Sequence, residues 1–467
     1  MSSVGKSEYK PGNRVAYGVG ALAENASYQA FTFLVFTFYY AVIGIDINLV
    51  TLGFVIWSVW NAFNDPVIGL VSDRTKTKYG RRIPYIAAGS LPLALIMYFL
   101  WTPPLGPPEL SFLYFLVAII LFDFFYTMLA LNLTALFPEM WLTEKERNAA
   151  NNFRQMLIVV GLLIAFVVPT ILIPDMSARS TPASQVILDY QFTGILLAVI
   201  VCIGMLITLK WGVQERREFS DDSLSVPSFV DALRHTLRNK NFHWFLIMNT
   251  CIWYVFGLIP TIIPLYGQFV LNTSLGGILL AGSFITGILF VNLWKWVVDK
   301  IGDLRKALIM SMGIWIITLM PLAITVDFTI AMILFAINGL GLAGALLLRD
   351  LVIADIVDED EIRTGVRREG SFFGVNALIM RFAVILVFVS INLVLNNVGW
   401  TVFEPSVVTE STLLGLRLLV GVFPSAALLI GALAFSRYPL VGGKLKEMKE
   451  KRDRLHADKQ SQAGKYM

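Results

Sequence analysis

Apolar runs of about 20 residues, each long enough to cross the hydrocarbon of a bilayer as a helix, recur along the chain between short polar segments. Twelve are read, at roughly 15–43, 49–72, 83–102, 110–137, 151–174, 190–212, 243–269, 275–298, 305–325, 329–355, 371–395 and 412–436. They are too long and too evenly apolar for the alternating strands of a barrel, the other structure that satisfies every backbone group in lipid. The expected class is therefore an all-α membrane protein. One longer polar stretch, 213–242, separates six runs from the next six, and within it SFVDALRHTLRNKNFHWF is amphipathic, which predicts a short helix lying along the membrane surface. The expected organisation is an N-terminal six-helix bundle over 1–212, a linker over 213–242, a C-terminal six-helix bundle over 243–436 and a tail over 437–467.

Composition agrees with the pattern. Mean hydropathy is +0.69 and 15% of residues are charged, against about 25% in soluble chains, so most of the surface must face lipid. The cations lie almost entirely on one set of loops: KSEYKPGNR, DRTKTKYGRR, TEKER, DKIGDLRK, RTGVRR and the tail KLKEMKEKRDR. Of the opposite loops, the basic residue is Arg179. The positive-inside rule places the basic set, and with it both termini, in the cytoplasm, which an even number of spans also requires. The plasma membrane is the expected location. Cys202 and Cys251 lie in apolar runs and His235, His243 and His456 in polar ones, a distribution that suits neither a disulfide framework nor a His/Cys metal site. No phosphate-binding glycine loop, zinc-binding helix or nucleophile elbow is present, which excludes the common designs for an ATP-driven pump or a membrane enzyme. Nothing calls for a nucleic-acid partner. A sensor would need a larger soluble domain than the linker or the tail supplies.

The two sets of spans echo each other. LVSDRTKTKYGRRIPYI after the second span and WVVDKIGDLRKALI after the eighth share the order acid, cation, glycine turn, paired cations. TEKERNAANNFRQ and EDEIRTGVRREGSFFG follow the fourth and tenth. Halves repeated in parallel are typical of major facilitator transporters. WNAFNDPVIGLVSDRTKTKYGRRIPY (60–85), ADIVDEDEIRTGVRREGSFFGVNALIMR (354–381) and YGVGALAEN (17–25) resemble the signatures of the melibiose permease-like glycoside–pentoside–hexuronide:cation symporters. The resemblance spans nearly the whole chain. It implies a major facilitator fold of 12 transmembrane helices, alternating access around a solute site, and symport of a sugar or sugar-derived solute driven by H+ or Na+, with H+ the first expectation. Each chain would hold a complete pathway, so a monomer suffices.

Ionisable residues within spans are costly and mark function. Helical rise places Asp65 about 24 Å along the second span, with Asn61 one turn above it and Asn64 beside that stripe. Asp123 is near the middle of the fourth span and Thr127 one turn below. Glu24 and Arg381 lie at depth in the first and eleventh. Three carboxylates against one guanidinium leave buried negative charge, which a proton or a bound cation would relieve. Asp65, Asn61, Asn64 and Thr127 could supply oxygens to such a cation, Na+ included. The resemblance assigns the same four positions to the cation site, with Asn61 standing where the family has a second acid. It further implies solute-site positions at Asn25, Arg154, Asn376 and Arg381, to which the acids at depth, Glu24 and Asp123, are added as candidates. There Asn25 and Ala130 replace the family's sugar-gripping carboxylates, and Thr134 and Leu346 its stacking tryptophans. Arg154 and Arg381, as bidentate donors, suit an acidic sugar. A carrier of a non-sugar amphipath or lipid is the alternative within transport.

At the cytoplasmic ends, Asp73, Arg81, Arg82, Asp355, Asp358 and Arg367 read as a gate, with Glu361 continuing the acidic stripe. Arg349 and Asp350 read as an ion pair close to the cytoplasmic end of the tenth span, which is expected to end near 355. Trp57, Trp60, Tyr126, Trp253 and Tyr254 are candidates to stack on a sugar face, though packing accounts equally for each.

Overall fold

The structure, a computed structural model, describes residues 12–104, 106–215, 234–365 and 368–463. Helices follow one another with no strand among the described residues. α1 is Arg14–Thr37, continued by a π turn at Phe38–Val42; α2 is Ile47–Arg74, α3 Ile83–Phe99, α4 Pro108–Met140, α5 Glu144–Leu172 and α6 Ala183–Ile207, extended by Thr208–Gly212. Then come α7 (Lys240–Phe269), α8 (Gly276–Ile301), α9 (Leu304–Leu319), α10 (Phe328–Thr364), α11 (Glu369–Asn397), α12 (Glu410–Phe435, with a π turn at Leu418–Val422) and α13 (Gly442–Ala463). Ten of these are long and apolar enough to cross a membrane. Helices also stand at the first and third expected positions, α3 with 17 residues. The first third of the amphipathic segment SFVDALRHTLRNKNFHWF, residues 228–233, lies outside the described residues, as does Arg367, and the last six residues of the segment open α7.

Two boundaries differ from the sequence reading in ways that matter. α10 has 37 residues and runs on to Thr364, because its acidic end finds partners that keep it helical. The tail, expected simply as polar, forms α13.

The chain divides into two units, one of Met1–Ser225 with 274–281 and 399–408, the other of Val226–Thr273 with 282–398 and 409–467. In the first, α1 packs on α5 and α6, α3 on α4 and α6, and α2 on α4. Small residues permit the approach: a Cβ on Gly161 of α5 would stand 2.6 Å from the Leu22 carbonyl of α1. In the second, α7 packs on α11 and α12, and α9 on α10 and α12. There Ser283 and Thr286 of α8 donate to the Phe335 and Ala336 carbonyls of α10 at 2.6 and 2.7 Å. Helix for helix these are the same pairings, so the echo seen in the loops extends to the packing.

Candidate functional site

In the first unit the polar residues of α1, α2 and α4 converge on a single stretch of α4, residues 122–127. Thr127 donates to Asp65 Oδ1 at 3.0 Å. One turn earlier on the same face, Asp123 is fully buried and receives both amides of the α2 stripe. Asn64 Nδ2 donates to Asp123 Oδ2 at 3.0 Å and to the Asp123 carbonyl at 3.2 Å, and Asn61 Nδ2 donates to Asp123 Oδ1. Asp123, expected with the solute residues, thus stands among the cation residues. The reason is geometric: a face of α4 that brings Thr127 to Asp65 also brings Asp123 to Asn61, one turn away on both helices. The acid missing at position 61 is supplied from across the helix pair.

Two further oxygens are available there. Asn61 Oδ1 is buried with no hydrogen-bond partner among the described residues. Pro66, inside α2, has no N–H to give the Ala62 carbonyl one turn back. Carboxylates, amides, a hydroxyl and a carbonyl form a hard-oxygen donor set, which suits an alkali cation. Among the described residues no group of three His, Cys, Asp or Glu could hold a metal ion.

The same turn of α4 faces α1. Tyr126 donates to Glu24 Oε1 at 2.5 Å, and Asn25 Nδ2 donates to Glu24 Oε2 at 2.8 Å. Tyr28 stacks on Tyr126 with centroids 4.9 Å apart. Arg154 of α5 lies within electrostatic range of Glu24, its guanidinium over the Phe137 ring at 5.4 Å. Its buried Nε has no acceptor among the described residues. Glu24, Asn25 and Arg154 are therefore neighbours, as expected, and Tyr126 joins them. Adjacent residues of α4, Tyr126 and Thr127, connect Glu24 on one side to Asp65 on the other.

In the second unit, Asn376 of α11 accepts from Asn249 of α7 at 2.8 Å. Arg349 of α10 approaches Asn249 Oδ1 at 3.4 Å and lies over the Trp253 ring at 4.6 Å. Arg381, half-buried, is five residues beyond Asn376 and so about 140° round α11. Asn249 escaped the sequence reading. Its one signal is an amide in an apolar run, four residues and hence one turn before Trp253.

The family model for MFS/sugar transport proteins matches residues 16–442. The chain belongs to this family. An uncharacterised symporter of Synechocystis sp. is 24% identical, covering 91% of this chain and 94% of its own. A protein assigned as a sulfoquinovose importer in Salmonella typhimurium is 25% identical over 90% and 88%. The crystal structure of the nucleoside transporter NupG superposes with a TM-score of 0.67 over 91% of this chain and 99% of that one, at 14% identity, a likeness of fold. The protein is thus an integral membrane transporter with the major facilitator fold.

Among the described residues, the charges expected at the cytoplasmic gate are paired within their own units. Arg82 pairs with Asp73 at 2.9 Å and Arg81 with Glu139 at 2.8 Å. Glu215 accepts from the backbone N–H groups of Arg81 and Arg82 at 3.0 and 2.9 Å, capping the start of α3. Gly80 is required at this turn: its φ is +103° and a Cβ would strike the Glu215 carboxylate. Glu139 and Glu215 were not singled out by sequence, since loop acids next to basic runs carry no periodic signal. In the second unit Asp355, Asp358 and Glu361 pair with Lys449, Arg452 and His456 of α13 at 3.6, 2.9 and 3.1 Å. That ladder is what extends α10. The echoed loop after α8 is held differently, with Arg305 donating to the Ser436 and Tyr438 carbonyls at 2.9 and 3.0 Å.

Proposed function

We propose that this transporter couples the entry of a sugar-derived solute to a monovalent cation bound at Asp65. The observation that carries the reading is the buried Asp123 held by Asn61 and Asn64 one turn from the Asp65–Thr127 pair. Both Asp123 oxygens accept from amide N–H groups of α2, so Asp123 is tied in place, and Asp65 is the carboxylate that exchanges its cation. Asn61 Oδ1, the Ala62 carbonyl and Thr127 complete an oxygen shell for Na+; in its absence a proton on Asp65 relieves the same excess charge. Glu24, Asn25 and Arg154 are the solute-binding residues proposed for the first unit, and Asn376 and Arg381 those proposed for the second. The Tyr126–Thr127 step transmits occupancy from one ligand to the other. The names of the Synechocystis symporter and the Salmonella sulfoquinovose importer support this class of solute.

A monomer in the plasma membrane, both termini cytoplasmic, is the working unit. Asp73, Arg81, Arg82, Asp355, Asp358 and Arg367 serve the cytoplasmic gate, a role supported by the ion pairs that Asp73, Arg81 and Arg82 form in one unit and Asp355 and Asp358 in the other. Counterflow of a sugar panel in proteoliposomes, with Na+ and pH varied independently, tests the reading. Exchange should depend on Na+ or on pH in the wild type and lose that dependence in Asp65→Asn. Sugar exchange with an unchanged cation dependence in that variant would remove Asp65 from the mechanism.

A further inference from the structure

The cluster around Arg349 is not accounted for by the cation site or by the cytoplasmic charges. Because α10 continues to Thr364, Arg349 lies about 32 Å from the start of the helix and about 22 Å from its end. It is an interior residue, not a terminal one, and its side chain is 16% exposed. A guanidinium there is costly unless its donors are used. Its Nε edge is engaged weakly, by the Leu346 carbonyl at 3.4 Å and by Asp350 at 3.6 Å, and the Asp350 side chain is itself 67% exposed. Nη1 approaches Asn249 at 3.4 Å, and Nη2 has no partner among the described residues. Trp253, whose ring carries the guanidinium, also has a buried indole N–H with no acceptor among the described residues.

Orphaned groups on one cluster are thus all donors. The scaffold around them is ordered: Asn376 fixes Asn249, and Asn249 steers Arg349. Stacking on an indole holds the guanidinium plane while leaving its Nη edge available for bidentate contact. An acceptor-only, planar or trigonal group satisfies such a set best.

We propose that Arg349, braced by Trp253 and the Asn249–Asn376 pair, is a recognition site for an oxyanion substituent of the solute, a carboxylate or sulfonate carried on a sugar ring. This rests on the reading of the protein as a sugar-derivative transporter and specifies which sugars it prefers. The specificity role of Arg349 adds to the ion pair with Asp350 that its sequence position suggested, which is present at 3.6 Å.

The test is titration calorimetry of the full-length protein in nanodiscs at fixed Na+ and pH, with D-glucuronate, sulfoquinovose and D-glucose as probes. At least one anionic sugar should bind the wild type about tenfold or more tighter than glucose, the scale of a charged hydrogen bond. Arg349→Gln should reduce that ratio to near one without weakening glucose binding. Arg349→Lys keeps the charge and loses the fork, so its ratio should fall to an intermediate value; it decides the matter if the glutamine variant does not fold. An anion-to-glucose ratio unchanged in either folded variant overturns the assignment. Glucose binding with no preference for the anions overturns it while leaving sugar transport standing. Binding of none of the three probes overturns both.

Discussion

The polar cluster of the first unit and that of the second are built from opposite charges. In the first, Glu24, Asp65 and Asp123 gather on α1, α2 and α4, and their donors are side chains of the same helices. In the second, Arg349 is joined by neutral amides, an indole and the mostly exposed Asp350, and among the described residues it is donors that lack acceptors. An acidic cluster with spare oxygens is suited to a cation; a basic cluster with spare N–H groups is suited to an anion. The repeat that generated two equivalent packings has therefore not generated two equivalent sites. Duplicated helices preserve where polar residues can converge, and the residues placed there set which ligand each half receives.

The sharpest way to break the comparison is at Asp65. Asp65→Asn should abolish concentrative uptake while solute exchange persists, a loss of about two orders of magnitude in accumulation if the cation ligand is removed. Asp123→Asn should weaken cation affinity roughly tenfold. If the acid has been relocated across the α2–α4 pair, Asn61→Asp combined with Asp123→Asn should recover much of that loss, whereas two additive defects would refute the relocation. Tyr126→Phe removes a donor from Glu24 and should raise the solute KM several-fold, about 1 kcal/mol of binding, with cation affinity unaltered. An equal drop in cation affinity would mean that the Tyr126–Thr127 step does not separate the two ligands.

Smaller effects are expected away from the clusters. Arg452→Ala uncovers Asp358, which is 6% exposed, and should cost about 2 kcal/mol of thermal stability in the second unit without changing solute preference. In the loop between α5 and α6, burial works against ionisation of Asp175. Backbone N–H groups of Ser180, Arg179 and Thr181 outweigh it and hold the carboxyl below the usual range. Its contribution is therefore complete above about pH 4, where an unfolded aspartate ionises, and drains away as pH falls toward the folded value. Hydrogen exchange at 179–181 should quicken over that interval in the wild type. Asp175→Asn should show quick exchange already at neutral pH.

Much of the fold could be read without coordinates. Apolar run lengths located the spans, and the cation bias of the loops ordered them. The stripe of Asn61, Asn64 and Asp65 followed from helical period alone, as did the one-turn relation of Asp123 to Thr127. Periodicity says which residues share a face of one helix. It does not say which face of another helix they meet, and so Asp123 was grouped with the solute residues. The length of α10 was underread for a related reason. Hydropathy ends the tenth span near 355, where acids begin, but those acids are neutralised by α13 and the helix continues to Thr364.

Sequence by itself thus determined the class of protein, its repeat, and the presence of a carboxylate within the apolar helix α2, because lipid imposes length and polarity rules that act along the chain. Only the tertiary structure decided that Asp123 joins Asn61 and Asn64, that Glu139 and Glu215 hold the α2–α3 loop, and that Arg349 has donors left over among the described residues. Those are matters of pairing between side chains far apart in sequence, and a buried charge takes its role from the partners that packing brings within hydrogen-bond distance.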